Sequence, residues 1–263
     1  MGRTSYERTG AAAVLTITRQ ERRNAVDYET AEELLAAYRR FEDDEEARVL
    51  VLTGEGDEAF CAGADLKAMA EVAPQVTAEQ VGEWTGRPEG PMGFTRITPA
   101  KPAIAAISGW CLAGGLELAL WCDLRIAAEG AKLGYPERRW GVPLIDGGTQ
   151  RLPRIVGLGR ALDLILSGRI IETGEARDWG LVNEVVAPGC HLERALEYAE
   201  GIAAFPQPTM LSDRRAAIEG STMELDAGLA HEAKLGAESV AVGLEGAGRF
   251  ASGEGRGGKG AGV

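Results

Sequence analysis

The chain has 263 residues, 45% apolar and 26% charged, with a formal net charge of −12. That length and mix suit a globular protein with a full core, and the acidity argues against a general nucleic-acid or anionic-membrane surface. Four cysteines (Cys61, Cys111, Cys122, Cys190) in no C-x-x-C pair and two histidines (His191, His231) in the last third give little support to a zinc site or a Ser-His-Asp triad, so no metal is expected. No apolar run is long enough to cross a bilayer, and the start MGRTSYERTG lacks the apolar core of a signal peptide, so the expected compartment is the cytoplasm.

In chain order, 6–9 and 13–18 (AVLTIT) read as two short strands joined around Gly10. A polar turn with Arg19, Arg22 and Arg23 follows, ending at Asp27 as the N-cap of a helix over 28–43. Leu34, Leu35, Tyr38 and Phe41 form one stripe on it, so it covers the core. The apolar run 48–53 (RVLVLT) is a strand buried on both faces. Gly54-x-Gly56-x-x-Ala59 matches a loose dinucleotide fingerprint. The match is discounted, because the next helix starts only near Ala64 and no strand ending in an acid follows about twenty residues on. Residues 71–98 hold Pro74, Pro88 and Pro91 with one polar helical piece near 77–84, and read as a mobile or pocket-covering segment.

The stretch 103–123, AIAAISGWCLAGGLELALWCD, organises the rest. It reads as a buried strand, a turn at Ser108-Gly109, and a helix that starts after Ala113-Gly114-Gly115. At a helix start the first N–H groups lack intrahelical partners and the dipole is positive, so negative charge on an oxygen is stabilised there. Gly114 lets a ligand approach, and Glu117, three residues on, lies on the same face. A turn of two packing glycines with Glu117 pointing to solvent fits this stretch equally well. Ala62-Gly63-Ala64-Asp65 repeats the design, so two exposed amide donors are available, the number that a charged carbonyl oxygen needs.

Strands are expected over 123–128 (DLRIAA) and 132–136 (KLGYP), helices around 149–156 and 160–167, and a last strand over 181–186. Three helices then cover about 191–205, 208–219 and 225–244, and the glycine-rich end, GEGRGGKGAGV, is expected to be disordered.

Three segments, AFCAGADLKAM, KPAIAAISGWCLAGGLELALWCD and LGYPERRWGVPLIDGGTQRLPRIVG, together resemble the enoyl-CoA hydratase/isomerase (crotonase) family in order, spacing and content, over about residues 6–250. The resemblance implies an α/β fold, a crotonase-like spiral of repeated ββα units over 1–190, then a helical C-terminal trimerisation region over 191–250 and a disordered glycine-rich tail over 251–263. It implies homotrimers or hexamers (dimers of trimers), with an acyl-CoA as the substrate and no separate cofactor. By the family pattern the N–H groups of Ala64 and Gly114 form an oxyanion hole for the thioester oxygen. Asp65, Leu66 and Lys67 line the CoA path, with Ala25, Ala62, Trp110 and Leu112 also on the substrate. Arg22 and Arg23 fall in the turn that approaches the nucleotide phosphates, although a solvated surface turn explains them as well.

Glu117 and Glu137 occupy the two glutamate positions of family hydratases. Two carboxyls close together cannot both ionise cheaply, so the pair can hold one proton at neutral pH. Glu117 is then expected to activate the water that adds to C3 and Glu137 to supply the C2 proton, while the two amides stabilise the enolate. The implied function is hydration of a 2-enoyl-CoA, with isomerisation of an enoyl- or dienoyl-CoA and non-catalytic acyl-CoA binding as alternatives. One departure matters. Ile145 stands where a glycine normally holds the water, which places the water site in question, and Asp146 adds a third acid, read here as a cap for the following helix rather than a catalytic group.

Overall fold

The computed structural model describes residues 2–253, which divide into two compact units between Ala199 and Glu200. The first unit opens with an antiparallel pair, β1 (Thr4–Thr9) and β2 (Ala12–Ile17), followed by α1 (Tyr28–Asp43). Asp27 caps α1 as the sequence suggests, its Oδ1 accepting from Thr30 N–H at 2.9 Å, and the expected stripe of Leu34, Leu35, Tyr38 and Phe41 is buried.

The middle of this unit repeats one construction. β3 (Val49–Gly54), β4 (Ala59–Cys61) and α2 (Leu66–Val72) form the first turn of it, followed by the exposed α3 (Ala78–Gly86). The second turn is β5 (Ala103–Ile107), β6 (Trp110–Leu112) and α4 (Gly114–Trp121). In the third, β7 (Leu124–Ala128) and β8 (Lys132–Gly134) lead through a 3-10 turn at Pro136–Trp140 to α5 (Gly148–Val156). The first strand of each turn joins a six-stranded sheet and the second a four-stranded one. The parallel register advances from β3 to β5 to β7 in the first and from β4 to β6 to β8 in the second. Stacking successive ββα turns in this way is the expected spiral.

The first unit continues with α6 (Leu158–Ser167), β9 (Ile170–Glu172), α7 (Thr173–Asp178), β10 (Glu184–Val186) and the greater part of α8 (His191–Ala204). β9 closes the small sheet antiparallel to β8, and β10 extends the large sheet beside β7. Strands β3 and β5 are buried along their whole length, as their continuous apolar runs require. β4, β6, β9 and α7 are short elements absent from the sequence reading. Cys61 and Cys111 are register partners between β4 and β6, fully buried, while Cys122 is buried at the end of α4 and Cys190 is partly exposed.

Helix α4 is apolar on every side apart from one glutamate, and all eight of its residues are buried. Its C-terminal end is tied down by Arg125, whose Nη1 donates to the Cys122 carbonyl at 2.7 Å and whose Nε donates to the Leu181 carbonyl at 2.7 Å. Trp121 at the same end packs edge-on to Phe94 and Tyr38, with ring centroids 4.5 and 5.5 Å away, and donates Nε1–H to the Ile97 carbonyl at 2.7 Å. These contacts separate the two halves of the 71–98 segment. Residues 71–80 are exposed, whereas 90–95 are buried.

The second unit holds the end of α8 with α9 (Gln207–Gly220) and α10 (Leu225–Ala251), the last two packed together and joined by His231 Nε2 and Glu219 Oε2 at 2.5 Å. α10 runs seven residues past the expected end at 244. All but the first three residues of the tail proposed for 251–263 lie outside the described residues.

Candidate active site

The two strand-turn-helix junctions of the small sheet meet. Gly63 adopts φ +96° and Ala113 adopts φ 53°, a rare conformation for a residue with a side chain. A Cβ built on Gly63 would lie 2.8 Å from the Ala113 Cβ and 3.1 Å from Gly114 N, so the 62–65 turn rests directly on the start of α4. Ala64 forms an isolated parallel bridge with Val26, in which Val26 N–H donates to the Gly63 carbonyl and Asp65 N–H to the Val26 carbonyl, both at 2.8 Å. That pattern turns the Ala64 N–H away from Val26. Gly114 is the first helical residue of α4, where no intrahelical acceptor exists. Among the described residues, no turn, loop or cap hydrogen bond uses the N–H of Ala64 or of Gly114.

Glu117 lies one turn into α4 and is 2% exposed, so the solvent-facing reading does not hold. Its Oε1 accepts two backbone N–H groups, from Asp146 at 2.9 Å and from Gly148 at 2.8 Å. Gly148 is the first residue of α5, so the carboxyl sits at a helix N-terminus. A Cβ at 148 would come within 3.0 Å of Glu117 Oε1 and 2.6 Å of the Tyr135 hydroxyl, which explains why only glycine fits. Burial, with the Asp146 charge next, pushes the Glu117 pKa up to about 8 against the pull of the two amides, and Glu137 adds to the push.

Glu137 belongs to the 3-10 turn Pro136–Trp140 and is 5% exposed. Neither of its carboxyl oxygens has a hydrogen-bond partner among the described residues, nor does the buried Tyr135 hydroxyl. Burial raises the Glu137 pKa to about 7, against a smaller opposing pull from its own backbone N–H and Arg138. Tyr135, which feels both glutamates after the effect of burial, is pushed well above its ordinary value and stays neutral. An unpartnered buried carboxyl is costly, by about 1–3 kcal/mol or more for a polar group left unsatisfied. Such a group needs a water or a ligand.

Asp146 does not cap α5, contrary to the sequence expectation. Gly147 is the N-cap, with φ +103°, and Asp146 Oδ1 instead accepts Met92 N–H at 3.0 Å and the Thr95 hydroxyl. The partners lie more than fifty residues away in sequence, which hid them. Ile145 is half-buried and its carbonyl accepts from Arg96 Nη2 at 2.8 Å.

Of the residues placed on the substrate path, Arg22 is exposed and close enough to Asp65 to help lower its pKa. Asp65 itself is buried and caps α2, accepting Lys67 N–H and Ala68 N–H at 3.1 Å each and pairing with Arg19 Nη2 at 2.9 Å. Its carboxylate is thus spent on the turn; Leu66 is half-buried and Lys67 exposed. Ala25 is buried with its carbonyl on the Arg19 guanidinium, and Ala62 donates its N–H to the Arg23 carbonyl at 3.0 Å. Trp110 and Leu112 are half-buried on β6, Trp110 under the Lys132 ammonium. Arg23 is taken up by an exposed pair with Glu58 at 2.8 Å. Arg19, which the sequence places in the same polar turn without a separate role, is 7% exposed and bridges Asp27 and Asp65 at 2.9 Å each.

The family model for enoyl-CoA hydratase/isomerase matches residues 7–251. The chain belongs to the enoyl-CoA hydratase/isomerase family. Among members of this family, a probable enoyl-CoA hydratase of Rhizobium meliloti is 40% identical over 232 residues, 87% of this chain and 86% of that protein. A crotonyl-CoA hydratase of Syntrophomonas wolfei is 38% identical, covering 86% of this chain and 85% of its own length. The crystal structure of an enoyl-CoA hydratase from Bacillus anthracis superposes with a TM-score of 0.86 at 36% identity, covering 95% of this chain and 96% of that one.

Proposed function

We propose that the protein is an enoyl-CoA hydratase that adds water across the 2,3 double bond of a 2-enoyl-CoA thioester. The observation that carries this reading is the contrast between the two buried glutamates, Glu117 gripped by two amides and Glu137 without a partner, beside two unused N–H groups on abutting turns. Names carried by relatives of about 40% identity agree with it.

The thioester oxygen accepts the N–H groups of Ala64 and Gly114, which lowers the energy of the enolate as charge moves onto that oxygen. With one carboxyl pushed up to about 8 and the other to about 7, the pair retains a proton near neutrality. The retained proton rests on Glu117, the higher of the two, in the free protein. The amides of Asp146 and Gly148 both take Oε1 of Glu117 and favour its ionised form, so that once the proton has passed to Glu137, Oε2 is left to remove a proton from the attacking water. Glu137, with two unoccupied oxygens, delivers the proton to C2. Arg22 and Lys67 supply positive charge to the CoA phosphates on an acidic protein, with Ala25, Ala62, Asp65, Leu66, Trp110 and Leu112 forming the rest of the path, Asp65 through its turn rather than its carboxylate.

Assembly as homotrimers, or hexamers of two trimers, is part of the same proposal. Leu158, Leu162 and Leu166 expose an apolar stripe at helical spacing on α6, and α10 exposes Leu225, Leu229, Val240, Leu244 and Phe250. Among the described residues no helix is long and apolar enough to cross a membrane, and a cytoplasmic enzyme is proposed.

The test is the loss of conjugated absorbance on mixing the protein with crotonyl-CoA and longer 2-enoyl-CoAs. Turnover supports the reading. Migration of the double bond without uptake of water replaces it with isomerisation, and tight acyl-CoA binding without turnover replaces it with a binding role.

A further inference from the structure

Asp146 is 3% exposed, and the proposed chemistry uses its amide but not its carboxylate. Its side chain faces one segment and its backbone another. Oδ1 accepts Met92 N–H at 3.0 Å together with the Thr95 hydroxyl, so the carboxylate is the centre around which the buried 90–95 turn is wound. A Cβ placed on Gly90 would lie 3.0 Å from the same oxygen. On the other side, its N–H donates to Glu117 Oε1 at 2.9 Å, next to the Gly148 N–H that does the same. Arg151 closes the link, its Nη1 donating to the Asp146 carbonyl at 2.9 Å and its Nη2 to the Thr95 carbonyl at 2.5 Å.

The 90–95 turn is also the wall beside the proposed oxyanion donor. A Cβ built on Gly114 would lie 2.9 Å from the Met92 sulfur, so the thioether rests on the first residue of α4. One aspartate therefore touches, through Met92, the turn that carries the Gly114 N–H and, through its own amide, the carboxyl of Glu117.

We propose that Asp146 is a positioning residue that holds the Met92 wall at Gly114 and the amides gripping Glu117 as one rigid unit, fixing the spacing between the oxyanion end and the acid-base end of the site. The proposal rests on the hydratase reading for the role of Glu117. A capping role is excluded by Gly147 at the N-cap, and a purely local role does not explain why both faces of one residue serve opposite ends of the site. The charged and titratable groups around this junction are Glu117, Glu137, Tyr135, Arg96 and Arg151.

The experiment compares Asp146→Ala and Asp146→Asn in the full chain by two readouts, amide hydrogen exchange at 90–95 and 147–148, and kcat and KM on crotonyl-CoA. Losing a buried acceptor with two donors should speed exchange in both segments by ~10-fold or more in Asp146→Ala. It should lower kcat by ~10-fold or more while KM stays within ~3-fold, because misplacing reacting groups costs rate. Asparagine keeps an acceptor oxygen and should restore most of the protection and the rate. Thr95→Val, which removes one of the two donors, should move both readouts the same way by less and decides the matter should the alanine variant fail to fold. Wild-type protection in the alanine variant, or opening confined to 90–95 with kcat unchanged, overturns the proposal. Absence of turnover of crotonyl-CoA and of longer 2-enoyl-CoAs by the wild type overturns the hydratase reading, and the exchange of the two segments, opening together or not, then decides alone whether Asp146 couples them.

Discussion

Glu117 and Glu137 are both buried, at 2% and 5% exposure, and differ in what holds them. Oε1 of Glu117 accepts two amide N–H groups, and both oxygens of Glu137 accept none. Amide donors stabilise the ionised form of the first and orient it, while the second is left free to exchange its proton with whatever enters. The asymmetry assigns different duties to two identical side chains.

Glu137→Gln should lower kcat by ~10² to 10⁴ with little change in acyl-CoA binding, as expected for a lost general acid-base group. Steady-state kinetics on crotonyl-CoA and equilibrium binding of a saturated acyl-CoA measure the two quantities separately. A variant with wild-type kcat would remove Glu137 from the mechanism.

The oxyanion assignment is tested from the side of the neighbouring turn. Gly63→Ala introduces a methyl where the Ala113 Cβ is 2.8 Å and Gly114 N 3.1 Å away, in a left-handed conformation that disfavours side chains. The two turns must part, and the rate should fall by at least ~10², the loss seen on removing one oxyanion donor. A folded variant with full activity would show that the spacing of Ala64 and Gly114 is immaterial.

The raised carboxyls also set how stability responds to pH. Glu117 and Glu137 have folded-state pKa values of about 8 and about 7, above the ~4.3 of an unfolded glutamate. Between these limits the native state binds more protons than the unfolded chain, so their contribution is fully present below ~4, and it is lost as pH rises through ~7 to 8. Thermal melting from pH ~5 to ~9 should therefore narrow the gap between the wild type and Glu117→Gln/Glu137→Gln, or reverse it in favour of the variant. A difference independent of pH would contradict the buried, protonated state.

Arg19 holds two carboxylates, half-buried Asp27 and buried Asp65, at 2.9 Å each. Although burial alone would raise the pKa of Asp65, its hydrogen bond from Ala68 N–H and its contact with Arg19 reverse that and hold it below its ordinary range. Arg19→Met should cost about 3–5 kcal/mol by leaving buried charge uncompensated, read as a lower denaturant midpoint. An unchanged midpoint would show that the pair contributes nothing net.

The central strand and helix were legible because five apolar residues in a row (Ala103 to Ile107) and the small residues before Leu116 are strong local signals. Three-residue strands such as β4, β6 and β9 carry no period to detect, so of the four-stranded sheet only β8 is anticipated, by the extended piece over 132–136. The site divides the same way. Ala64, Gly114, Glu117 and Glu137 sit at positions marked by motif and spacing. Asp146 was misread because its position before a glycine pair looks like a cap, and its partners at 92 and 95 come from a segment without periodicity. Arg19 could not be told from Arg22 and Arg23 by composition, since only the packing of three separate turns decides which guanidinium is enclosed.

The facing cysteines of β4 and β6 lead directly into the two turns that bear the proposed donors. Burial pushes the Cys61 thiol up to about 12 and the Cys111 thiol well above its ordinary value, so neither forms the reactive thiolate while the fold is closed. Cys190 is partly exposed. Alkylation with a small reagent thus becomes a clock: modification at 190 marks time in solution, and the lag before 61 and 111 are modified counts how often the floor of the site breathes open.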